Sequence, residues 1–328
     1  MPSTERKELA ADMAAVAALL EVAEQVGISA LLDRAEPFGI DDVMITADIP
    51  RPGAETLLQA LAASGLLIAS EKPGEFSPCP DMADRRYESG YLAWALNANS
   101  PFIENSTEFL RDPASAGAHH QRDGRSVAVT SKWIGSQGFY PAVIKEIYAR
   151  NPSRIVDLGA GAGGLVIHLL QMLPDARGLT LDLSHAACEE AESAAVRAGV
   201  LGRMEIVTRS IESLASDPSP IRGAEVIHAG FVMHDIGAKP DVQDAVLRAC
   251  WTAIEDGGAL MITDAVPYVS GRDERAFSAL FTYLHAASMG VRLPTEEQWR
   301  MALRRAGFKK VECQTLPMPG SRLFIATK

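Results

Sequence analysis

His234 stands beside Asp235 where an apolar run, Ala229-Gly230-Phe231-Val232-Met233, comes to its end, and an imidazole next to a carboxylate suits general acid–base chemistry. A lone histidine in such a stretch is more often a packed, hydrogen-bonded residue than a catalyst. The adjacent carboxylate, and a place at the C-terminal edge of a strand where open α/β sheets hold their ligands, turn the balance toward chemistry. Further upstream, Val156-Asp157-Leu158-Gly159-Ala160-Gly161-Ala162-Gly163-Gly164 joins a short β run to a helix. Glycines 159, 161 and 164 satisfy even the dinucleotide fingerprint, which by itself says only that backbone approaches a ligand closely at a helix N-terminus. Asp157 would face a pyrophosphate unfavourably but would attract the ammonium of an amino acid moiety. Asp182 ends the next β run, where a carboxylate can accept both hydroxyls of a ribose. A tight turn without ligand is the bland alternative, and the agreement of loop, acids and strand order weighs against it.

These residues need a sheet to position them. From Arg154 onward short β runs alternate with amphipathic helices, the pattern of a parallel sheet covered on both faces. Strands are predicted at Ile155–Leu158, Gly178–Leu183, Met204–Thr208, Glu225–Ala229, Ala259–Asp264, Lys309–Gln314 and Arg322–Ala326. Helices are predicted at Gly164–Leu173, Ala186–Ala198, Pro240–Ile254 and Glu296–Ala306. Residues 315–321 are too few for a crossover helix, so the last two strands are expected as an antiparallel hairpin. Before this region the pattern is helical. A long helix over Glu8–Val26 closes at Gly27, and Asp41 to Pro78 reads as helix, turn, helix and hairpin, a winged helix. The segment Tyr87 to Tyr148 is predicted to be largely helical and to line a pocket. Two domains follow, 1–135 and 136–328, as a length of 328 residues favours.

The bulk numbers exclude several function classes. A net charge of −11 would repel a phosphate backbone, so the winged helix is expected to serve as a homodimerisation lobe and not to grip nucleic acid. No apolar run reaches the roughly 18 residues of a membrane span, and the N-terminal residues lack the pattern of a secretory signal. Cys79, Cys188, Cys250 and Cys313 lie far apart with no CxxC pair, which suits reduced thiols and a cytoplasmic setting.

Asp157-Leu158-Gly159-x-Gly161-x-Gly163, Asp182 and the terminal hairpin resemble class I methyltransferases over about residues 140–328. The resemblance implies a Rossmann-like α/β fold with sheet order 3-2-1-4-5-7-6 and S-adenosylmethionine as cofactor. It implies cofactor contacts from Asp157, Gly159, Gly161, Gly163 and Asp182, with Ser210 and Ile211 near the adenine. Members often carry an acidic residue and an aromatic at that last place; this chain has Arg209-Ser210-Ile211.

Two groups within that class resemble the His234-Asp235 stretch. One is the winged-helix small-molecule O-methyltransferases, in which the histidine acts as general base on a hydroxyl. The other is the 2-oxo acid C-methyltransferases, such as the phenylpyruvate and 2-ketoarginine enzymes. His285 before Met289-Gly290-Val291, Arg122 in His120-Gln121-Arg122-Asp123, and Trp94 with Ser100 in Trp94-x-Leu96-Asn97-x-x-Ser100 resemble the second group. That resemblance implies methylation of the β-carbon of a 2-oxo acid. His234, Asp235 and His285 would be the ligands of a non-haem iron that stabilises the enolate, Arg122 would hold the substrate carboxylate, and Trp94 and Ser100 would line the pocket. The O-methyltransferase alternative keeps His234 as base and needs no metal. A ligand-sensing regulator is a third class, disfavoured by the acidic charge. His119, His168, His185 and His228 are expected to be structural or solvated.

Overall fold

A computed structural model of the chain describes residues 4–34 and 36–328. It forms two compact units, Met1–Glu104 with Gln121–Ser136, and Asn105–His120 with Gln137–Lys328.

The second unit is built on seven strands: β1 Arg154–Leu158, β2 Arg177–Asp182, β3 Met204–Thr208, β4 Ala224–Gly230, β5 Ile254–Ala265, β6 Lys310–Thr315 and β7 Ser321–Thr327. Their order is β3-β2-β1-β4-β5-β7-β6. The first five run parallel, and β7 lies antiparallel between β5 and β6. This is the order that the resemblance to class I methyltransferases implied. The central strands β1, β2, β4 and the second half of β5 carry apolar runs because both faces are covered: Val156, Leu158, Leu179, Leu181, Ile227, Leu260 and Ile262 are fully buried. Each such aliphatic side chain contributes about 1.5–3 kcal/mol on burial. The short β6–β7 connection leaves no room for a crossover, so the hairpin forms.

Most predicted boundaries shift by a residue or more, and those around β5 and at the end of β2 have a physical cause. β5 begins at Ile254 and not at Ala259, and the preceding helix accordingly stops at Ala253. Residues 255–258 bulge from the ladder, with Gly257 at φ +84°, and a register irregularity between Ala224 and Val226 absorbs the extra length. At β2 the strand ends with Asp182, leaving Leu183 outside and 73% exposed, because the Asp182 side chain turns to cap backbone amides.

The helix Gly164–Met172 leaves the glycine loop and packs on β1 and β2. Its carbonyl end is gathered by one side chain. The Arg203 guanidinium donates to the carbonyl oxygens of Leu170 at 2.7 Å in the last helical turn and of Leu173 and Ala176 at 3.0 Å in the turn that follows it. The helix Arg275–Ser288 carries His285, and the short helices Ser106–Arg111 and Pro113–His119 pack against it.

The first unit holds the helix Thr4–Gln25, the helices Ile40–Ala47 and Arg51–Ala63, and an antiparallel sheet of Phe38–Gly39, Leu67–Ala69 and Glu75–Pro78, with the last of these central. Leu20, Ile28, Leu31, Phe38, Leu61 and Leu66 form its core. The helix Met82–Ala93 then runs into a π-helical turn, Trp94–Ala98.

Replacing Arg203 by Met, which keeps the stem and removes the donors, should lower stability by about 1–3 kcal/mol in urea unfolding, since three carbonyls lose a charged partner. A midpoint unchanged from that of the parent protein would show that water satisfies this helix end equally well.

Candidate active site

The glycine loop is pinned to the end of β2. Gly159 N–H donates to Leu181 O at 2.7 Å, and Gly161 N–H donates to Asp182 Oδ2 at 2.8 Å. Gly159 sits at φ +68°, and a Cβ there would lie 2.6 Å from Val232 Cγ1, so the loop needs glycine for both conformation and room. Asp182 accepts a second backbone bond, from Ser184 N–H at 2.9 Å. Its oxygens, each with two acceptor positions, therefore organise the loop while keeping capacity for ribose hydroxyls. Beyond β3, Ser210 and Ile211 open a 3₁₀ turn, and Arg209 is drawn away to Ser213 and Asp217.

Asp157 lies one residue before the end of β1, and its carboxylate is buried. Its partner was missed from sequence. His228, directly opposite in the β1–β4 register, donates from Nδ1–H to Asp157 Oδ1 at 2.7 Å. His228 is buried and hydrogen-bonded, within the structural reading that the sequence suggested; its pairing with the carboxylate of the glycine strand is what that reading lacked. The available signal was two polar residues interrupting neighbouring apolar strands, because buried polar groups find partners.

After β4 the chain turns sharply. Phe231 adopts φ +53° and donates its N–H to Thr263 O at 2.8 Å, which swings His234 over the ends of β4 and β5. His234 is 2% exposed, and its Nδ1–H donates to Asp264 Oδ1 at 2.6 Å. Asp264, at the end of β5, is fully buried and also accepts from the Ala265 N–H at 2.8 Å. A carboxylate only accepts, so this bond fixes the proton on Nδ1 and leaves Nε2 as the basic nitrogen of the neutral ring. A base oriented by a buried acid is the arrangement that proton abstraction requires. Sequence reading named Asp235 as the acid that matters; Asp264, thirty residues from His234 in the chain, holds the ring.

His285 is buried with its ring edge-on to His234, centroids 4.9 Å apart. It stacks on Phe281 at 4.1 Å and donates from Nδ1–H to the Phe281 carbonyl at 2.7 Å. His234, Asp235 and His285 are thus neighbours, but among the described residues no group of three or more His, Cys, Asp or Glu side chains is placed to hold a metal ion. Nε2 of His234, the nitrogen that a metal would need, faces Asp235 Oδ1 at 3.3 Å, and the Asp235 side chain is 60% exposed. The expected iron ligation by His234, Asp235 and His285 therefore finds no support among the described residues.

Trp94, Ser100 and Arg122 lie together in the first unit. They meet around Asn99, a buried residue absent from the sequence expectations, which donates to the Trp94 carbonyl at 2.7 Å and accepts from Arg122 at 3.3 Å. The Arg122 guanidinium also lies over the Phe102 ring, 5.3 Å from its centroid.

Comparison with known proteins bears on this arrangement. A family described as a methyltransferase domain matches residues 156–260, from the glycine strand into β5. The chain is similar to the 3-hydroxy-5-methyl-1-naphthoate 3-O-methyltransferase of Streptomyces sahachiroi, 25% identical over 289 residues that cover 83% of this chain and 80% of that protein. Two solved structures share the fold at low identity. PigF with SAH has a TM-score of 0.60 and 19% identity with 100% of both chains covered. Human N-acetylserotonin methyltransferase in complex with SAM has a TM-score of 0.62 and 15% identity over 99% of each chain. The matched domain contains the loop, its two carboxylates and His234, and the chain is an S-adenosylmethionine-dependent methyltransferase.

Proposed function

We propose that the protein methylates a hydroxyl of a small aromatic or similarly acidic acceptor, with His234 as general base. The observation that carries this reading is the 2.6 Å bond between His234 and the buried Asp264. Bound S-adenosylmethionine supplies an electrophilic methyl group on a sulfonium. Gly159, Gly161 and Gly163 let backbone approach it, Asp157 faces its ammonium, Asp182 takes its ribose hydroxyls, and Ser210 and Ile211 border the adenine. Nε2 of His234 accepts the acceptor's hydroxyl proton as the oxygen attacks, and Asp264 stabilises the resulting imidazolium. A phenolic hydroxyl has a pKa of about 10, so a positioned base removes a real barrier, worth about 10²–10⁴-fold in rate. The similarity to an enzyme named for a hydroxynaphthoate supports an aromatic hydroxyl.

A second reading, methylation of the β-carbon of a 2-oxo acid held by Arg122, is favoured by the second imidazole, His285, beside His234. It requires an iron, and no group of three His, Cys, Asp or Glu placed to hold a metal ion stands among the described residues. We read the first unit as a winged-helix dimerisation lobe, supported by its two helices and hairpin and by the exposed Leu9 and Val22 on the helix Thr4–Gln25. Trp94 and Ser100 belong to the same reading as substrate-lining residues. Sedimentation as a monomer at micromolar concentration would remove the dimer. Among the described residues no helix is long and apolar enough to cross a membrane, and a cytoplasmic setting stays part of the proposal.

Purified protein should methylate hydroxynaphthoates, read as one added methyl by mass, at the same rate before and after chelation. Methylation of phenylpyruvate that is lost on chelation and restored by ferrous iron would overturn the O-methyl reading. His234→Ala should lower kcat by about 10²–10⁴-fold, and Asp264→Asn by at least about 10²-fold, with S-adenosylhomocysteine affinity unchanged in calorimetry. Full turnover by either variant would mean that the base lies elsewhere.

A further inference from the structure

Three adjacent strands each contribute one polar residue to a hydrogen-bonded row inside the sheet, Thr263 lying two residues along from the position opposite His228. Asp157 on β1, His228 on β4 and Thr263 on β5 are all buried among apolar neighbours such as Val156, Ile227 and Ile262. His228 is the link: its Nδ1 lies 2.7 Å from Asp157 Oδ1, and its Nε2 lies 3.2 Å from Thr263 Oγ1. The carboxylate only accepts, so Nδ1 carries a proton. In the neutral ring Nε2 then accepts from the Thr263 hydroxyl, and the row runs in one direction, Thr263 to His228 to Asp157.

The sequence makes room for this ring. Gly230, two residues on and so on the same face of β4, would place a Cβ 3.1 Å from His228 Cε1. On the other side Tyr140 also faces the carboxylate: its hydroxyl is pushed up to about 12, first by burial and then by the charge of Asp157. Asp157 thus has one oxygen fixed by the imidazole. That bond engages Oδ1 and not Oδ2.

We propose that His228 is a positioning residue for the cofactor: it holds the Asp157 carboxylate so that Oδ2 meets the ammonium of S-adenosylmethionine. This rests on the proposed cofactor contact of Asp157 and adds the residue that aims it. His228 does not reach the acceptor hydroxyl chemistry, which belongs to His234. Its loss therefore weakens recognition of the amino acid end alone.

The test separates that role from a structural one by using two probes, S-adenosylhomocysteine, which has the ammonium, and 5′-methylthioadenosine, which lacks the amino acid end. His228→Leu should weaken S-adenosylhomocysteine binding by about tenfold or more, the worth of one hydrogen bond to a charged group, and leave 5′-methylthioadenosine affinity unchanged. It should raise KM for S-adenosylmethionine while leaving kcat and the acceptor KM within about twofold, as loss of uniform binding does. His228→Asn, whose Nδ2 sits where Nδ1 did, should restore most of the affinity, and Asp157→Asn should reproduce the selective loss. Equal weakening of both probes, or parental affinity of His228→Leu for S-adenosylhomocysteine, would overturn the proposal and leave the cofactor reading in place. Failure of the parental protein to bind either probe would instead overturn the cofactor reading, and this proposal with it.

Discussion

Burying an ionised carboxylate costs several kcal/mol unless a partner meets it, and this sheet buries two close together. Asp157 is met by His228 at 2.7 Å, and Asp264 by His234 at 2.6 Å. Both imidazoles come from β4 or the turn that ends it, and the two acids come from the strands on either side, β1 and β5. The charge pattern of the site therefore depends on how β4 registers against its neighbours. A slip of one residue would carry His228 to the opposite face and leave Asp157 buried alone. Register itself is held by the apolar runs of the same strands, so packing and chemistry are specified by the same residues.

That dependence explains what could be read from the sequence and what could not. The glycine loop, the strand alternation and the short final connection are local or periodic signals, and each led to the element observed. Partnership across strands is neither local nor periodic. Asp264 closes the run Leu260-Met261-Ile262-Thr263 and reads as a strand end, and nothing nearby in the chain marks it as the acid that holds His234. Asp235 drew attention because it is adjacent, yet a residue next to another after a sharp turn need not share its environment: His234 is buried, and the Asp235 side chain is 60% exposed. Among the described residues no group of three is placed to hold the expected iron. Each histidine has its Nδ1 engaged by a group that sequence did not reveal, Asp264 in one case and the Phe281 carbonyl one helical turn back in the other, and that bond sets the orientation of its ring.

The N-terminal unit shows the same limit on a smaller scale. Trp94, Ser100 and Arg122 could be picked out as a set, but Asn99, whose side chain joins the Trp94 carbonyl to the guanidinium, could not. The turn Trp94–Ala98 is π-helical, and its wider winding breaks the 3.6-residue rule by which side chains on one face are counted. Short motifs identified the neighbourhood, and backbone geometry decided the contacts.

The Arg203 clamp has an electrostatic result at the other end of its helix. A helix carries about half a unit charge of opposite sign at its two ends. With a guanidinium resting on the carbonyls of Leu170, Leu173 and Ala176, the negative pole of Gly164–Met172 is quenched, and the amide pole facing the glycine loop acts without its counterweight. Beside that positive pole stands the negative Asp157. A crevice with one pole of each sign fits a zwitterion, whose carboxylate and ammonium point opposite ways, and it repels the doubly anionic phosphates that glycine-rich loops elsewhere are built to receive.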